Sequence, residues 1–449
     1  MPPRPRQRGL AIALLVAAAT LIAWLPRMLV AADVRTDPAP AATVSADDYA
    51  KPKFCGACHQ ALYEQWDGTM HSHASDDPFY TGLFVLAGKE TDGLTDTFCS
   101  RCHTPIGRVA GEVPPADHSE LSEVSKRGVS CDFCHTMTGH KAIGNAQYII
   151  EPGDVKRGPF GDGEPMGHEV AFSEFHTKPE FCGTCHDVDH PVNGLPLETT
   201  YKEWAAGPYN TDDPATRTIC QDCHMTPGPG VTKPNPGKAS EIRDERPHIF
   251  THDAVGGGGV SSLLGEDETM ASATERLQAA AEMALVLPET ATAGQSAEVK
   301  VSITNVGCGH KLPTGVTELR DMWLELTVTD ADGKQVFTSG LLDAEGEITE
   351  GAVKYVVVVA DADGNPTPKF WLAASKVSDH RIPPKETVTE SYTVQIPAGT
   401  AGPLKVAARL RYRAASPSLL RLALGPDSKA ALPIVEMTGA EAELKLGNG

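Results

Sequence analysis

Five copies of Cys-x-x-Cys-His between residues 51 and 260, and a change near residue 283 to short alternating segments split by turns, predict a multidomain fold. The first part reads as short helices and loops wrapped around bound groups. The second reads as a β-sandwich of immunoglobulin-like type.

The repeats are Cys55-Cys58-His59, Cys99-Cys102-His103, Cys131-Cys134-His135, Cys182-Cys185-His186 and Cys220-Cys223-His224, and they use ten of the eleven cysteines. Each has the attachment signature of a c-type haem. Two thiols three residues apart share one side of a helical turn and reach the two vinyl groups of one porphyrin. The histidine that follows points its imidazole at the iron. A zinc knuckle or a redox dithiol is the plainer reading of Cys-x-x-Cys, but zinc sites consume such pairs in twos, and five pairs leave one over. Five covalently attached haems c are expected, with the ten cysteines as attachment points and the five histidines as proximal iron ligands.

Residues 1–32 read as an export signal. Arg4, Arg6 and Arg8 form a basic start, Gly9 to Leu25 is apolar except for Thr20, and Val30-Ala31-Ala32 offers small residues for cleavage. Covalent haem is attached outside the cytoplasm, so this address agrees with the motifs. A periplasmic or otherwise exported protein is expected. Cleavage is the favoured outcome, and a retained inner-membrane anchor is the alternative. Residues 33–50, rich in Ala, Pro, Asp and Thr, read as a tether.

Residues 51–260 form the haem-packed cytochrome domain. Successive first cysteines are 44, 32, 51 and 38 residues apart, so each haem has only tens of residues to wrap it. Gly and Pro are frequent there and long amphipathic patterns are few, so few strands are expected. Residues 261–282 read as a helical linker, with a helix from Glu266 to Ala281. Residues 283–449 carry the strand patterns: Ala297–Ile303, Met322–Val328, Gln335–Phe337 after the Asp330-Ala331-Asp332-Gly333 turn, Thr387–Ile396 and Leu404–Tyr412. Ser416–Leu424 reads as a short helix.

The formal net charge is −20, and after residue 32 there remain 35 basic and 59 acidic side chains. Such a surface argues against nucleic acid and anionic lipid as partners and suits redox proteins with basic patches. Only Cys308 lies outside the motifs, in a Gly-Cys-Gly turn, and is read as a buried thiol.

A haem that only carries electrons usually has a second protein ligand, whereas one that acts on a substrate keeps that position open. The other eleven histidines are His71, His73, His118, His140, His168, His176, His190, His248, His252, His310 and His380. His310 lies between glycines and a Pro-Thr-Gly turn at the end of a strand pattern, placed to project from the β-domain toward a haem.

The region from Cys55 to about Gly259 resembles the multihaem cytochromes of the cytochrome c-554 and hydroxylamine oxidoreductase group. The stretches that carry the resemblance are Cys55-Gly-Ala-Cys-His59 with Tyr63-x-x-Trp66-x-x-Thr69-x-His71, Gly128-Val-Ser-Cys-Asp-Phe-Cys-His135, Phe181-Cys-Gly-Thr-Cys-His-Asp-Val188, Thr200-Tyr-x-x-Trp204 and Cys220-Gln-Asp-Cys-His-Met225. The resemblance implies distal ligands at His71, at His176 before the fourth motif and at His252 before the Gly-Gly turn. The stretch Asn305-Val-Gly-Cys-Gly-His-Lys-Leu-Pro-Thr-Gly315 is similar to a signature of related multihaem proteins with a C-terminal β-domain, which implies a distal role for His310. The fifth distal ligand stays open between His118, His140, His168 and none, and His73 competes with His71. There is no Cys-x-x-Cys-Lys motif, so a lysine-ligated catalytic haem is not expected.

These readings converge on electron transfer between respiratory redox partners, with most haems bis-histidine ligated. The alternative is a haem enzyme acting on a small nitrogen or sulfur compound at one open iron.

Overall fold

The computed structural model describes residues 44–164, 166–230 and 234–447. The export segment and most of the tether fall outside the described residues. No helix among the described residues is long and apolar enough to cross a membrane.

Every motif sits on or beside a short helix: Pro52–Gly56, Leu94–His103, Cys131–His135, Glu180–Gly183 and Cys220–His224. The local reason is visible in the backbone. The amide of His59 reaches the carbonyl of Cys55 at 2.9 Å, and that of His186 reaches Cys182 at 2.9 Å, so first cysteine and histidine share one helical turn.

Strands in this part are more numerous than expected. Three two-stranded ribbons join the motifs: β1 (Met137–His140) with β2 (Tyr148–Ile150), β3 (Val155–Gly158) with β4 (Glu169–Phe172), and β5 (Val188–Asp189) with β6 (Pro196–Glu198). Each strand is at most four residues long, too short for alternation to show in the sequence.

The linker helix is Asp267–Gln278, and the first strand of the second part begins at Ala281, just ahead of the expected boundary. The strands that follow are β7 (Ala281–Val286), β8 (Thr290–Thr292), β9 (Ser296–Asn305), β10 (Asp321–Thr329), β11 (Gln335–Ser339), β12 (Val356–Ala360), β13 (Ser375–His380), β14 (Thr387–Gln395), β15 (Leu404–Arg413) and β16 (Val435–Gly447). One sheet runs β11-β10-β15-β16-β8 and the other β14-β9-β7, while β12 and β13 form a separate hairpin. The β16–β8 pairing is parallel. The two sheets share one core, in which Val299, Val301 and Ile303 of β9 meet Leu324, Leu326 and Val328 of β10 and Val406, Ala408 and Leu410 of β15. These side chains are fully buried, each stabilising the fold by about 1.5–3 kcal/mol relative to exposure, with the smaller Ala408 below that range. Period-two alternation had marked β9, β10, β14 and β15. It could not mark β12, whose Val-Val-Val-Val-Ala run has no alternation at all.

The two parts are packed together. Asp77 caps the helix Pro78–Glu90, its Oδ1 accepting from the Phe79 amide at 2.8 Å. The apolar face of that helix, Phe79, Leu83 and Ala87, packs on Leu419 and Leu420 of the helix Pro417–Leu424 and on Leu319 and Trp371. Gly82 permits the crossing, since a Cβ there would lie 2.0 Å from the carbonyl oxygen of Ala423.

Candidate haem sites

A single connected cavity of ≈ 1700 Å³ runs through the first part and up to the β-domain. All ten motif cysteines and all five motif histidines line it. So do five further histidines: His71, His168, His176, His252 and His310. His73, His118, His140, His190, His248 and His380 are not among its lining residues.

The motif histidines are held in one way. The Nδ1 atoms of His59, His103, His135 and His224 face the backbone carbonyls of Ala239 (2.5 Å), Ala74 (3.3 Å), Arg157 (2.6 Å) and Val255 (2.7 Å). That of His186 faces the Glu198 carboxylate at 3.3 Å. A carbonyl at Nδ1 selects the tautomer protonated there and leaves the Nε2 lone pair for a metal. Burial holds His103 and His224 down to about 4, so both rings are neutral. Burial would also lower His186, but the Glu198 carboxylate raises it to about 9.

Four motif histidines face a second imidazole. The ring centroids of His59 and His168 are 6.1 Å apart, those of His186 and His71 6.1 Å, those of His135 and His252 6.2 Å, and those of His224 and His310 6.2 Å. Metal–imidazole nitrogen distances are about 2 Å, so two rings on opposite sides of one iron have centroids about 6 Å apart. Three of these partners repeat the tautomer pattern, with Nδ1 of His168, His252 and His310 on the carbonyls of Glu169 (2.9 Å), Phe250 (3.2 Å) and Lys311 (2.8 Å). Burial holds His71 and His252 down to about 4, which keeps both neutral. The residues present fit haem c: thiol pairs, facing imidazoles and apolar walls meet in one space.

His176 also lies against His135. Its ring lies 5.7 Å from that of His135, its Nε2 meets the carbonyl of Cys134 at 3.0 Å, and its buried Nδ1 has no hydrogen-bond partner. His252 takes the position across from His135. His168, left open by the sequence, lies across from His59. His73 is tied through both ring nitrogens to Asp76 (2.9 Å) and Glu266 (3.4 Å). The ring against His103 is that of Tyr80, at 3.9 Å and within 4° of parallel. His118 lies beyond it, 6.5 Å from Tyr80 and 5.3 Å from Phe84. Cys308 also lines the cavity, and burial pushes its thiol up to about 12.

The His310 loop leaves β9 at Asn305, which is fully buried. Its amide donates to the carbonyls of His310 (2.9 Å) and Ile382 (3.1 Å), and its Oδ1 accepts from the Cys308 amide at 3.0 Å. The β-domain thereby supplies a cavity histidine on a pinned loop.

The motifs also lie near one another. Cys55 lies near enough to Cys131, Cys102 to Cys185 and Cys182 to Cys220 for one thiol to shift the titration of the other.

The contacts that hold the motifs in pairs escaped the sequence reading, although the signal was there. Tyr-x-x-Trp follows both the first and the fourth motif. Tyr63 packs on Gly56 and Tyr201 on Gly183, where a Cβ would meet the rings at 2.8 and 2.3 Å.

The family described as cytochrome c554 and c-prime matches residues 54–136, which span the first three motifs. Among solved structures, the chain is similar to a penta-heme cytochrome c552 from Thermochromatium tepidum, at 21% identity and a TM-score of 0.64, covering 88% of this chain and 99% of that one. That likeness is one of fold. The CARDB domain of a Pyrococcus furiosus protein matches at 10% identity over 37% of this chain and 87% of its own, with a TM-score of 0.18. A putative superoxide reductase from Thermotoga maritima matches at 11% identity over 37% and 86%, with a TM-score of 0.16. Scores that low carry no argument. No curated protein matches the sequence.

Proposed function

We propose that this chain, a multihaem c-type cytochrome with a C-terminal β-domain, is an exported electron carrier holding five haems c, four of them bis-histidine ligated. The observation that carries the reading is the set of four facing imidazole pairs, 6.1 to 6.2 Å between centroids. On this reading His168, His71, His252 and His310 are the distal ligands opposite His59, His186, His135 and His224. His176 is not one of these four. The haems supply reversible one-electron chemistry.

The chain's own residues do the rest. Carbonyls at Nδ1 fix the imidazole planes. The Glu198 carboxylate at His186 would make that ring a stronger donor and would favour the oxidised state of an iron held there. The nearness of these cysteines supports a branched route, with the fourth motif beside the second and the fifth, and the third beside the first. The acidic surface steers basic respiratory donors and acceptors. We read the sandwich as immunoglobulin-like, supported by its two facing, mainly antiparallel sheets.

One observation favours a second reading. Among the described residues no ring pair sets an imidazole about 6 Å across from His103, whose ring face is covered by Tyr80. An iron held by His103 alone would be open to a small nitrogen or sulfur compound, and the protein would act as an enzyme there. Spectra of the oxidised protein, with and without cyanide, separate the two. Purely low-spin haem that ignores cyanide upholds the carrier alone. One cyanide-responsive high-spin haem per chain places the second activity at His103, and loss of that response in a His103 variant identifies it. A protein that takes up no electrons in a low-potential titration overturns both.

A further inference from the structure

Two stretches of this chain build the same device. The helix Gln60–Asp67 follows the first motif, and the helix Thr200–Ala205 follows the fourth. Trp66 Nε1 donates to the carbonyl of Val129 at 2.9 Å, just ahead of the third motif. Trp204 Nε1 donates to the carbonyl of Thr218 at 2.8 Å, just ahead of the fifth. Arg127 lies over Trp66 at 5.0 Å and Arg217 over Trp204 at 5.3 Å. Each tryptophan thereby binds two motifs into a pair, first with third and fourth with fifth. Those are the pairs whose leading cysteines, Cys55 with Cys131 and Cys182 with Cys220, lie near each other.

The residue before each tryptophan turns to the opposite side of the second motif in its pair. Gln65 Oε1 accepts from the backbone amide of His252 at 2.9 Å. Glu203 Oε2 accepts from the amide of Lys311 at 3.1 Å and from the Thr314 hydroxyl at 2.8 Å. These are the segments that carry His252 and His310, the imidazoles facing His135 and His224.

We propose that Gln65 and Glu203 are equivalent positioning residues, each holding the distal-histidine segment of the second haem in its pair. The proposal rests on His252 and His310 being distal ligands. The two copies differ in charge. Gln65 offers a neutral carbonyl oxygen and needs no counter-ion. Glu203 is buried, with 6% of its side chain exposed, and is ionised, so its other oxygen is answered by Arg381 at 2.6 Å. Arg381 also binds Asp379, at 2.7 Å, and Asp379 in turn binds Lys311 at 2.8 Å. The cluster sets Glu203 and Asp379 against Arg381, Lys311 and, at 3.9 Å, Lys376, and closes around the loop that carries His310. In the second copy, distal ligation is thus conditional on the β-domain being docked; in the first copy it is not.

The test uses the full-length protein with its haems attached. His252→Ala and His310→Ala come first, each expected to convert one haem to a high-spin, carbon monoxide-binding form. If neither does, the ligand assignment fails and the proposal falls with it. Given that reference, Glu203→Ala should produce the His310→Ala high-spin signal in part and raise the midpoint potential of the same haem. Glu203→Gln, which keeps an acceptor for the Lys311 amide, should restore the low-spin spectrum. Gln65→Ala should produce the His252→Ala signature instead. Wild-type spectra and potentials in both alanine variants, with both histidine variants opened, would overturn the proposal. Should Glu203→Ala fail to assemble, Gln65→Ala strands no charge and decides alone, by the same spectra and potentials.

Discussion

Replacing Glu318 with Gln should remove a pH dependence of stability that this protein otherwise carries. Glu318 lies in the turn Thr317–Leu319, downstream of the His310 loop, with 9% of its surface exposed. Neither carboxyl oxygen has a hydrogen-bond partner. Burial raises its pKa from the ordinary 4.5 to about 7, with Arg381 pulling down and Asp379 pushing up. The acid is therefore protonated in the native state over a range where the unfolded chain ionises. Its contribution is fully present below about pH 4.5 and is lost as pH rises through about 7. A gap of about 2.5 pH units at 1.36 kcal/mol each is worth about 3 kcal/mol, a large share of the roughly 5–15 kcal/mol that stabilises a domain. Urea unfolding followed by far-ultraviolet circular dichroism, at about pH 4.5 and about pH 8.5, measures it. Between those conditions Glu318→Gln should gain about 3 kcal/mol on the wild type, because an amide cannot ionise. A stability difference between the two proteins that stays constant across the window would refute the reasoning.

Other expectations follow from the same structure. Arg381→Leu leaves the Glu203 carboxylate, with 6% of its side chain exposed, without its ion partner, while Asp379 keeps Lys311 and Lys376, and should cost about 3–5 kcal/mol in urea unfolding at neutral pH; a loss under about 1 kcal/mol would mean that the cluster relaxes. Gly82→Ala gains about 1 kcal/mol of helix propensity but drives a Cβ against the backbone of Ala423, so the melting temperature should fall, by the equivalent of about 1–3 kcal/mol of overpacking. A rise in melting temperature would show that the two helices can separate without loss. Electron exchange with a basic redox protein should slow as ionic strength rises, in line with the chain's acidic balance, and a rate insensitive to salt would remove electrostatic steering from the account.

What the sequence determined by itself was chemistry that is local along the chain. Two thiols and a histidine within one helical turn need no distant residue, so Cys55-Cys58-His59 and its four repeats were legible as the attachment signature of c-type haem. Alternation over seven or more residues likewise marked β9, β10, β14 and β15, because one buried face leaves a period of two. Contacts that close across the cavity were beyond it. The tertiary structure decided that His168 faces His59, that His71 faces His186 ahead of the Tyr80-stacked His103, and that His176 turns its Nε2 to a carbonyl. A proximal histidine is bonded to the chain beside its own cysteines. A distal one arrives from whichever segment the fold carries to the far side of the same iron. Nothing in the neighbours of His168 distinguishes it from a surface histidine, and nothing in Glu203 alone foretells Arg381. Those pairings exist only once helix, ribbon and β-domain loop have packed around a common space.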